Sequence, residues 1–566
     1  MAQKKWTIRK HDHERVRSFA RELDVQPVIA ALLVARGYDT YAKAETFLRP
    51  SLSALHDPYL LKGMRQAVER IRRAVREHEK ILIWGDYDVD GTTGTVLLRR
   101  ALRHLGAEAE YHVPNRFTEG YGVNIPALEA AVGDGVSLVI TVDCGIRSFE
   151  PLEWAAVNSL DVIVTDHHLS DEVRGNPPAV AVVNPNQPGC EYPDKSLAGV
   201  GVAFKLADAL LREEGLEHEI PNFLKIAAIG TVADVMDLTG ENRAIVALGL
   251  QDLVLTDNCG LRALMEAANC TAEMTSLHIG FRIGPRINAA GRMDVAKHVI
   301  ELLEAEDFVK ARQLAALLDS RNRERQQTQQ RITELAFAEA AEHGASNFVV
   351  VAGEGWHRGV IGLAASRIAE KLYRPTIVLS VEDGIAQGSA RSIPGFHLLN
   401  ALEAVEDLFE QFGGHRAAAG MKLQAERIPE LRRRLSEYAG STLSAEDLVP
   451  ELEIDAVLLP ETIDFRLLEA LSALEPFGQG NPRPIFVTKG LTLRQDPFVM
   501  KEKHLKLHLE SDSGRQLEAV WWDGVDRSKG RTLRRGSRIE LAYVLEINSW
   551  QGNRKIQLVV EDFREA

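Results

Sequence analysis

The stretch Ile81-Leu82-Ile83-Trp84-Gly85-Asp86-Tyr87-Asp88-Val89-Asp90-Gly91-Thr92-Thr93-Gly94 decides the fold of this chain. Its apolar start, residues 81–84, is typical of a short buried strand that Gly85 ends. Three carboxylates follow at alternate positions: Asp86, Asp88 and Asp90. Residues 95–102 then show helical spacing. A strand that turns into a helix in this way predicts an open α/β sheet, which binds its ligands at the carboxyl ends of its strands.

Three carboxylates within five residues repel each other unless a positive charge lies between them. Hard divalent cations, which prefer carboxylate oxygen, are the usual counter-charge. A solvated acidic turn has the same local sequence, so this motif alone leaves both interpretations open. The rest of the chain decides between them.

The composition indicates an ordinary globular protein of several domains. A chain of 566 residues is too long for one core, so we expect three or four domains. The four cysteines form no CxxC pair, which favours a reducing compartment over a zinc ribbon or a disulfide framework. The net charge of -14 argues against a general nucleic-acid coat but allows a nucleic-acid enzyme with a local basic groove.

The sequence also gives an expectation for the cellular compartment. The first residues lack the apolar core of a signal peptide, and no uninterrupted apolar run is long enough to cross a bilayer. We therefore expect a cytoplasmic protein without membrane contact.

Further strands along the chain end in ligand-type side chains. Residues 137–142 end in Asp143, and residues 161–165 end in Asp166-His167-His168. Because helical stretches separate these strands from each other, a parallel, doubly wound sheet is predicted, with these side chains at one edge. Asp234 follows an apolar helical run over 223–233 and could complete a site for two metals.

Composition and periodicity divide the chain into five segments. Residues 1–75 form a helical extension expected to pack on the first α/β domain at 76–300, and residues 301–345 form a long connecting helix. A second α/β domain covers 346–450, and a barrel of about five strands, of the oligonucleotide-binding (OB) type, covers 451–566. The barrel carries basic and aromatic residues suited to phosphate contacts and base stacking: Lys501, Lys503, Lys506, Trp521, Trp522, Arg534, Arg535, Trp550 and Arg554. At least one tryptophan is expected in the barrel core.

Two other stretches are candidates for binding phosphate. The Gly, Pro and Arg content of residues 280–292 favours a loop with exposed guanidinium groups, which suit phosphate oxygens. Residues 412–420 contain glycines that allow a backbone to approach a ligand closely. His415 in this stretch is by itself more typical of a satisfied polar residue than of a catalyst.

Taken in order, these motifs resemble the DHH phosphoesterase superfamily, and within it the exonucleases specific for single-stranded DNA. Residues 85–91 are similar to the first family motif, 142–145 to the second, 166–168 to the third and 230–234 to the fourth. Residues 196–201 and 284–292 resemble the exonuclease branch in particular, and Gly413-Gly414-His415 resembles the signature of the DHH-associated domain. Cys144 replaces a more polar residue found in some relatives, and this leaves Asp143 unaffected.

The resemblance implies a site for two divalent cations, Mn²⁺ or Mg²⁺. Asp88 and Asp143, with help from Asp86, would hold one ion, and Asp90, His167 and Asp234 would hold the other, with Asp143 bridging. Asp166 would orient the neighbouring imidazole, and His168 would face the scissile phosphate, so Asp86, Asp166 and His168 are the predicted catalytic residues. The predicted substrate-binding residues are Arg286, Asn288, Arg292, Ser389, Arg391, Gly413, Gly414 and His415.

The implied activity is removal of 5′-mononucleotides from the 5′ end of single-stranded DNA, in recombination and repair, in cooperation with a helicase and a single-strand-binding protein. One alternative is an oligoribonuclease or cyclic-dinucleotide phosphodiesterase built on the same two α/β domains, which would not need the barrel. Another is a non-catalytic replication scaffold, which the complete set of ligand positions disfavours.

Overall fold

The computed structural model describes residues 4–565 apart from 116–117, 121, 271–272, 293–295, 345, 530, 532 and 551–552, and apart from the side chains of residues 292, 549 and 550. The strands are β1 Lys5–Ile8, β2 Lys80–Gly85, β3 Ala109–His112, β4 Val136–Val142, β5 Asp161–Thr165, β6 Ala181–Val183, β7 Val349–Glu354, β8 Thr376–Glu382, β9 Ile385–Arg391, β10 Gln411–Gly414, β11 Ala418–Gln424, β12 Glu451–Ile454, β13 Ala456–Val457, β14 Phe486–Leu493, β15 Phe498–Met500, β16 His504–Ser511, β17 Gln516–Trp521, β18 Arg538–Trp550 and β19 Asn553–Glu565. The α-helices are α1 His13–Leu23, α2 Pro27–Ala35, α3 Tyr41–Leu48, α4 Met64–Arg76, α5 Val89–His104, α6 Ile125–Gly133, α7 Phe149–Val157, α8 Gly199–Glu213, α9 Leu224–Ala233, α10 Gly240–Val254, α11 Cys259–Ala267, α12 Ser276–His278, α13 Gly284–Arg292, α14 Lys297–Leu303, α15 Phe308–Glu342, α16 Arg358–Leu372, α17 Leu398–Glu403, α18 Ile428–Thr442, α19 Phe465–Ser472 and α20 Gly524–Arg527.

The chain forms two compact units. Unit I contains residues 40–323 together with the short segment 473–482, and unit II contains residues 1–39, 324–472 and 483–566. The division falls inside α15, so this helix belongs to both units.

Unit I is built on a parallel five-stranded sheet of order β3-β2-β4-β5-β6. Alternate side chains of β2 enter two separate cores: Ile81 and Ile83 pack in one, Leu82 and Trp84 in the other. Helices cover both faces of the sheet, since α5 and α8 contribute to the first core and α6 and α7 to the second. The doubly wound sheet predicted from the sequence is therefore confirmed.

Unit II contains a second α/β sheet and a barrel. The sheet has the order β10-β11-β9-β8-β7, in which only β7 and β8 run parallel. The barrel sheet has the order β13-β14-β18-β19-β17-β16-β15, and an additional pairing of β14 with β16 closes five of these strands into a ring. The predicted fold class, two α/β domains with a long helix and a C-terminal OB-type barrel, is confirmed.

Two details differ from the sequence expectation. β1 pairs in parallel with β12, and residues 4–39 belong to unit II, whereas the sequence predicts an extension of the first α/β domain. The predicted helix over about 300–343 is interrupted between α14 and α15, where the Asp307 carboxylate accepts the backbone N–H groups of Val309 and Lys310. A side chain that caps a helix start in this way favours a new helix over continuation of the old one.

In the described part of the chain, no single helix combines the length and the apolar composition needed to cross a bilayer. Only α10 and α11 taken together, bent by 87° at the break between them, meet that criterion.

Candidate metal centre

Three sets of side chains in unit I each place their potential ligand atoms within 4.8 Å of one another. The sets are Asp86/Asp88/Asp143, Asp90/His167/Asp234 and Asp143/His167/His168. Because Asp143 and His167 each belong to two sets, the three sets form one continuous cluster. With Asp166, which contacts His168, the structure brings together all eight residues predicted to be metal-binding or catalytic.

The turn between β2 and α5 positions the first three carboxylates. Asp88 is the N-cap of α5, and its carboxylate accepts the N–H of Gly91 at 3.1 Å. The helix begins at Val89, earlier than the sequence suggested, so Asp90 lies in its first turn. Gly91 is required here, because a Cβ at this position would lie 2.5 Å from the backbone nitrogen of Asp86.

Asp143 lies directly after β4 in a left-handed backbone conformation, with φ 61°. Its N–H donates to the carbonyl of Thr165 at 3.0 Å, which ties the turn to the end of the neighbouring strand β5. A non-glycine residue in this conformation costs free energy and is often found at functional sites.

The Asp166 carboxylate organises the turn after β5. Its Oδ1 accepts the N–H groups of His167 and His168 and lies 2.8 Å from Nδ1 of His168, while its Oδ2 accepts the N–H of Ile146. Asp166 therefore orients the imidazole of His168. The resemblance implied this role toward the neighbouring imidazole that serves as a metal ligand, whereas the ring hydrogen bond in the structure is with His168.

Two asparagines hold the same turn from the other side. The side-chain amide of Asn184 donates to the carbonyl of His168 at 2.9 Å, and that of Asn186 donates to the carbonyl of His167 at 2.7 Å. Neither contact is predicted by the sequence. Their position just after β6, at the same sheet edge, was the available signal.

Asp90 is held by the start of α8. Its carboxylate oxygens accept the N–H groups of Gly199 at 2.6 Å and Val200 at 2.7 Å. The N-terminus of a helix favours a negative charge, because its backbone N–H groups and its dipole both point toward the anion. Residues 196–201 had no role assigned from the sequence, although their resemblance to the exonuclease branch was noted.

His167 lies at the centre of the cluster. Its Nε2 is 3.2 Å from Oδ1 of Asp143, 3.5 Å from Oδ2 of Asp234 and 3.8 Å from Oδ2 of Asp90. The ring also has a hydrogen bond to the backbone of Leu197. One imidazole nitrogen therefore faces three carboxylates from three different parts of the chain.

The electrostatics of the cluster favour a bound cation. Burial, followed by repulsion from neighbouring carboxylates, raises the pKa of Asp90 and of Asp143 well above the ordinary value. Burial and the charge of Asp88 raise the pKa of Asp234 to about 7. The raised pKa values mean that the ionised forms of these crowded carboxylates are unfavourable. A divalent cation between them would offset the repulsion.

The two histidines differ in charge state. Burial, followed by the charge of His168, lowers the pKa of His167 to about 4, so its ring is neutral at neutral pH, as a metal ligand must be. Burial alone would lower the pKa of His168, but the hydrogen bond with Asp166 outweighs it and raises that pKa. The same bond lowers the pKa of Asp166 against the effect of burial. The cluster thus holds one ligand-type imidazole and one imidazole suited to carrying a proton.

The donor set fits hard divalent cations. Carboxylate oxygens dominate it, and a single neutral imidazole is shared between two of the sets, which is the chemistry that Mn²⁺ and Mg²⁺ accept. Asp88, Asp143 and Asp86 are placed to hold one ion, and Asp90, His167 and Asp234 to hold another.

The stretch 280–292 is not the exposed loop that the sequence suggested. A turn of π-helix, Ile279–Ile283, leads into α13. Arg286 in α13 is largely buried, donates to Asp319 at 3.0 Å through Nε, and donates to the carbonyl of Arg282 at 2.7 Å. The expectation of an exposed guanidinium was wrong at this position, because helix formation turns Arg286 toward the carboxylate on α15.

The other two predicted binding residues of α13 have different outcomes. The side-chain oxygen of Asn288 accepts the N–H of Val89 at 3.3 Å, so Asn288 contacts the start of α5 beside the acidic cluster. Arg292 is the last residue of α13, and its side chain lies outside the described part of the structure.

The predicted substrate-binding residues of unit II share one sheet. Ser389 and Arg391 lie on β9, and Nη1 of Arg391 donates to the hydroxyl of Ser389 at 3.1 Å. Gly413 pairs with Gly420 on β11, which in turn pairs with Ser389, so these three residues form one row across the sheet. Gly414 ends β10, and the exposed His415 donates its N–H to the carbonyl of Ala418 at the tip of the hairpin.

The barrel separates its two adjacent tryptophans. Trp521 is buried against Phe563 in the barrel core, as expected for at least one tryptophan. Trp522 is 48% exposed, and its ring lies edge-on to that of His504 with the centroids 4.9 Å apart. Trp522 is therefore the one of the two that is available for stacking, whereas the side chain of Trp550 lies outside the described residues.

Comparison with known protein families gives three consecutive matches. The DHH family, N-terminal domain, matches residues 80–231, the DHHA1 domain matches 345–441, and the RecJ OB domain matches 454–562. These follow the order of the first sheet, the second sheet and the barrel.

Whole-chain relatives agree with these matches. The chain is 41% identical over 563 residues to the single-stranded-DNA-specific exonuclease RecJ of Bacillus subtilis, covering 99% of this chain and 70% of the relative. The crystal structure of RecJ from Thermus thermophilus in complex with Mn²⁺ is similar to this fold, with a TM-score of 0.84 and 30% identity over 99% of this chain and 80% of that one. The Mg²⁺ complex of the same protein gives a TM-score of 0.79 and 29% identity over 99% and 78%.

Proposed function

Because the chain belongs to the RecJ family of single-stranded-DNA-specific exonucleases, we propose that it hydrolyses single-stranded DNA from the 5′ end, releasing 5′-mononucleotides. The proposal includes two bound divalent cations, Mn²⁺ or Mg²⁺, a cytoplasmic location, and a role in recombination and repair beside a helicase and a single-strand-binding protein. The observation that carries it is the sharing of Asp143 and His167 between ligand sets, because shared ligands would hold two cations close enough together to act on one phosphodiester.

The proposed roles follow the geometry of the cluster. Two cations held there would activate water and stabilise the attacking and leaving oxygens of a phosphodiester. Asp166 holds the Nδ1 side of His168, so Nε2 is the nitrogen that would donate to a phosphate oxygen or to a leaving group. The N–H groups of Gly199 and Val200 keep the Asp90 carboxylate turned toward His167.

Substrate contacts are assigned to three places in this proposal. Ser389, Arg391 and His415 receive the terminal phosphate, assisted by the close-approach backbone of Gly413 and Gly414. Arg286, Asn288 and Arg292 support the backbone near the metals, with Arg286 acting through its ion pair. The third place is the barrel segment, 451–566, which binds the part of the DNA strand that follows the cleaved end. The division of the chain into segments 1–75, 76–300, 301–345, 346–450 and 451–566 remains a prediction.

Digestion of an end-labelled single strand tests the activity. The 5′ label should appear at once as a mononucleotide, the 3′ label should shorten progressively, and both reactions should require Mn²⁺ or Mg²⁺. Asp143→Ala and Asp88→Ala should abolish release, whereas Asp134→Asn, a change to an exposed carboxylate, should not. Early release of the 3′ label, or metal-dependent release by Asp143→Ala equal to the parent, would contradict the proposal.

A further inference from the structure

The short segment 473–482 belongs to unit I, although the chain on either side of it belongs to unit II. It lies within the stretch 454–562 matched by the RecJ OB domain, and no role follows from its sequence alone. We refer to it as the 473–482 loop. Its contacts in unit I concentrate on the residues that follow Asp234.

Arg243, in the first turns of α10, is the main anchor of the loop. It is 2% exposed, and its guanidinium donates to the carbonyls of Leu474 at 3.1 Å and Glu475 at 2.7 Å, with longer bonds to those of Ala473 and Pro476. A guanidinium can satisfy several carbonyls at once because its N–H donors are fixed in one plane.

Backbone carbonyls of the loop also accept hydrogen bonds from within the loop and from elsewhere in unit I. The fully buried amide of Asn481 donates to the carbonyls of Leu474 and Pro476, both at 2.8 Å. The hydroxyl of Ser276 donates to the carbonyl of Phe477. Buried polar groups that are satisfied in this way favour a single conformation of the loop.

The loop fixes the chain four residues after Asp234. The N–H of Leu238 donates to the carbonyl of Gln479 at 2.8 Å, and the Leu238 side chain is 1% exposed. Gly478 lies so close that a Cβ there would be 2.6 Å from Cδ1 of Leu238. Gly480 lies beside Asp237, since a Cβ on Gly480 would be 3.1 Å from the Cβ of Asp237.

The carboxylate of Asp234 is positioned mainly by the backbone on either side of it. Backbone N–H groups hold the carboxylates of Asp90 and Asp166, whereas within the described residues no N–H group donates to the carboxylate of Asp234. Its backbone ends α9 and is followed by Val235 with φ 58°. The position of the Asp234 carboxylate is therefore set by the end of α9 on one side and by the anchored Leu238 on the other.

We propose that Arg243 and the 473–482 loop are positioning elements that hold Asp234 in place as a ligand of one of the two cations. This rests on the proposed two-metal function and extends it, because it makes a segment from the C-terminal part of the chain a component of the metal centre. Residues that orient metal ligands typically change metal affinity 10- to 100-fold when they are replaced.

The test is Mn²⁺ binding to the full-length chain, followed by the spin-resonance signal of the free ion. The Mn²⁺ binding that the Asp234→Asn chain loses relative to the parent is the binding that depends on Asp234. Gly478→Ala, which displaces Leu238, and Arg243→Lys, which keeps the charge but loses the planar fork, should weaken that same binding about 10-fold or more and leave the remaining binding unchanged. Gly133→Ala is the matched control, since a Cβ at Gly133 meets nothing within 4 Å.

The kinetic readout separates positioning from stability. Both loop variants should lower kcat at saturating single-stranded DNA, with KM unchanged, at a temperature well below their melting transitions. Variants that melt earlier but bind Mn²⁺ as the parent does would overturn the inference, as would equal weakening of all Mn²⁺ binding or an Asp234→Asn chain that binds like the parent. Failure of the nuclease proposal would look different: the parent would bind Mn²⁺ without releasing nucleotides.

Discussion

Oδ1 of Asp90 accepts a 2.7 Å hydrogen bond from the backbone N–H of Val200. These residues lie in the first turns of α5 and α8, 110 positions apart in the sequence. The bond places two helix starts at one carboxylate, so the geometry of the metal centre depends on how closely α8 approaches the sheet.

Gly199→Ala should disrupt the metal centre without adding or removing charge. A Cβ on Gly199 would lie 2.6 Å from Cβ and 2.8 Å from Oδ1 of Asp143, so either Asp143 or α8 must move. We expect Mn²⁺ affinity and kcat to fall at least 10-fold. Gly201→Ala in the same helix is the control, because the atoms nearest to its Cβ would belong to the Leu197 side chain, at 3.3 Å and beyond, and none of them to a metal ligand. Mn²⁺ titration decides, and equal affinity in both variants would refute the prediction.

Glu79→Gln should destabilise unit I in a pH-dependent manner. Burial would raise the pKa of Glu79, but hydrogen bonds from Arg70 and Ser137 prevail and lower it below the ordinary 4.5. A lowered folded-state pKa stabilises the protein above the unfolded-state value and loses this effect as the pH falls through the folded-state value.

The Glu79→Gln chain should therefore unfold more easily by about 1–3 kcal/mol at pH 7, and the difference from the parent should shrink below about pH 4.5. Urea unfolding across this range measures it. A difference that stays constant down to about pH 3 would show that the charge of Glu79 is not responsible.

Trp522→Ala should weaken binding of long single strands about 5- to 100-fold, the effect of losing one stacked base. Hydrolysis of dinucleotides should be unchanged, because they do not need the barrel. Leu459→Ala is the control, since Leu459 is also exposed in unit II but offers no aromatic face. Equal loss on dinucleotides and long strands would contradict a stacking role for Trp522, and unchanged binding of long strands would favour the phosphodiesterase alternative.

A point substitution is preferable to deleting residues 451–566 for this purpose. That deletion would also remove the partner strand of β1 and the 473–482 loop of unit I. Loss of activity after the deletion would therefore not report on DNA binding alone.

Arg391→Ala should reduce the preference for a 5′-phosphorylated end over a 5′-hydroxyl end about 10-fold, because a guanidinium paired with a hydroxyl is suited to a phosphate monoester. Initial rates on the two substrates give this ratio. Arg433→Ala is the control, since Arg433 is exposed and paired with Glu437. If Arg391→Ala lowers both rates but leaves their ratio unchanged, Arg391 supports the fold and does not recognise the 5′-phosphate.

The sequence predicted the parts of the metal centre that follow strands. Asp86, Asp143 and Asp166 come directly after apolar runs, and parallel strands bring such positions to one edge. Asp234 follows a helix, so strand topology alone does not bring it to this edge, and its connection with the other carboxylates rested on the residue type and on the family resemblance. The alternation of Ile81 and Leu82 between two cores could not be read from a run that is apolar throughout.

The contacts that the sequence does not predict are mainly those between residues far apart in the chain. Nothing local in residues 196–201 shows that two N–H groups will meet Asp90, and nothing in residues 473–482 shows that Arg243 will bind their carbonyls. At 284–292 the sequence does contain a local signal for a helix: Pro285 fits the first turn of a helix, where its missing N–H costs nothing. Gly and Pro are also common in loops, but here Gly284 and Pro285 both lie at the start of α13.

The pairing of β1 with β12 has a consequence for synthesis of the protein. The hydroxyl of Thr7 bonds to a carboxylate on Glu451, 444 positions later, so β1 has no partner until the chain as far as β12 has been translated. At typical elongation rates, this wait lasts roughly 20–90 s. A bulky tag inserted just before Lys5 would therefore interfere with this late pairing, and we expect it to lower the yield of folded enzyme more than the same tag inserted after Glu565.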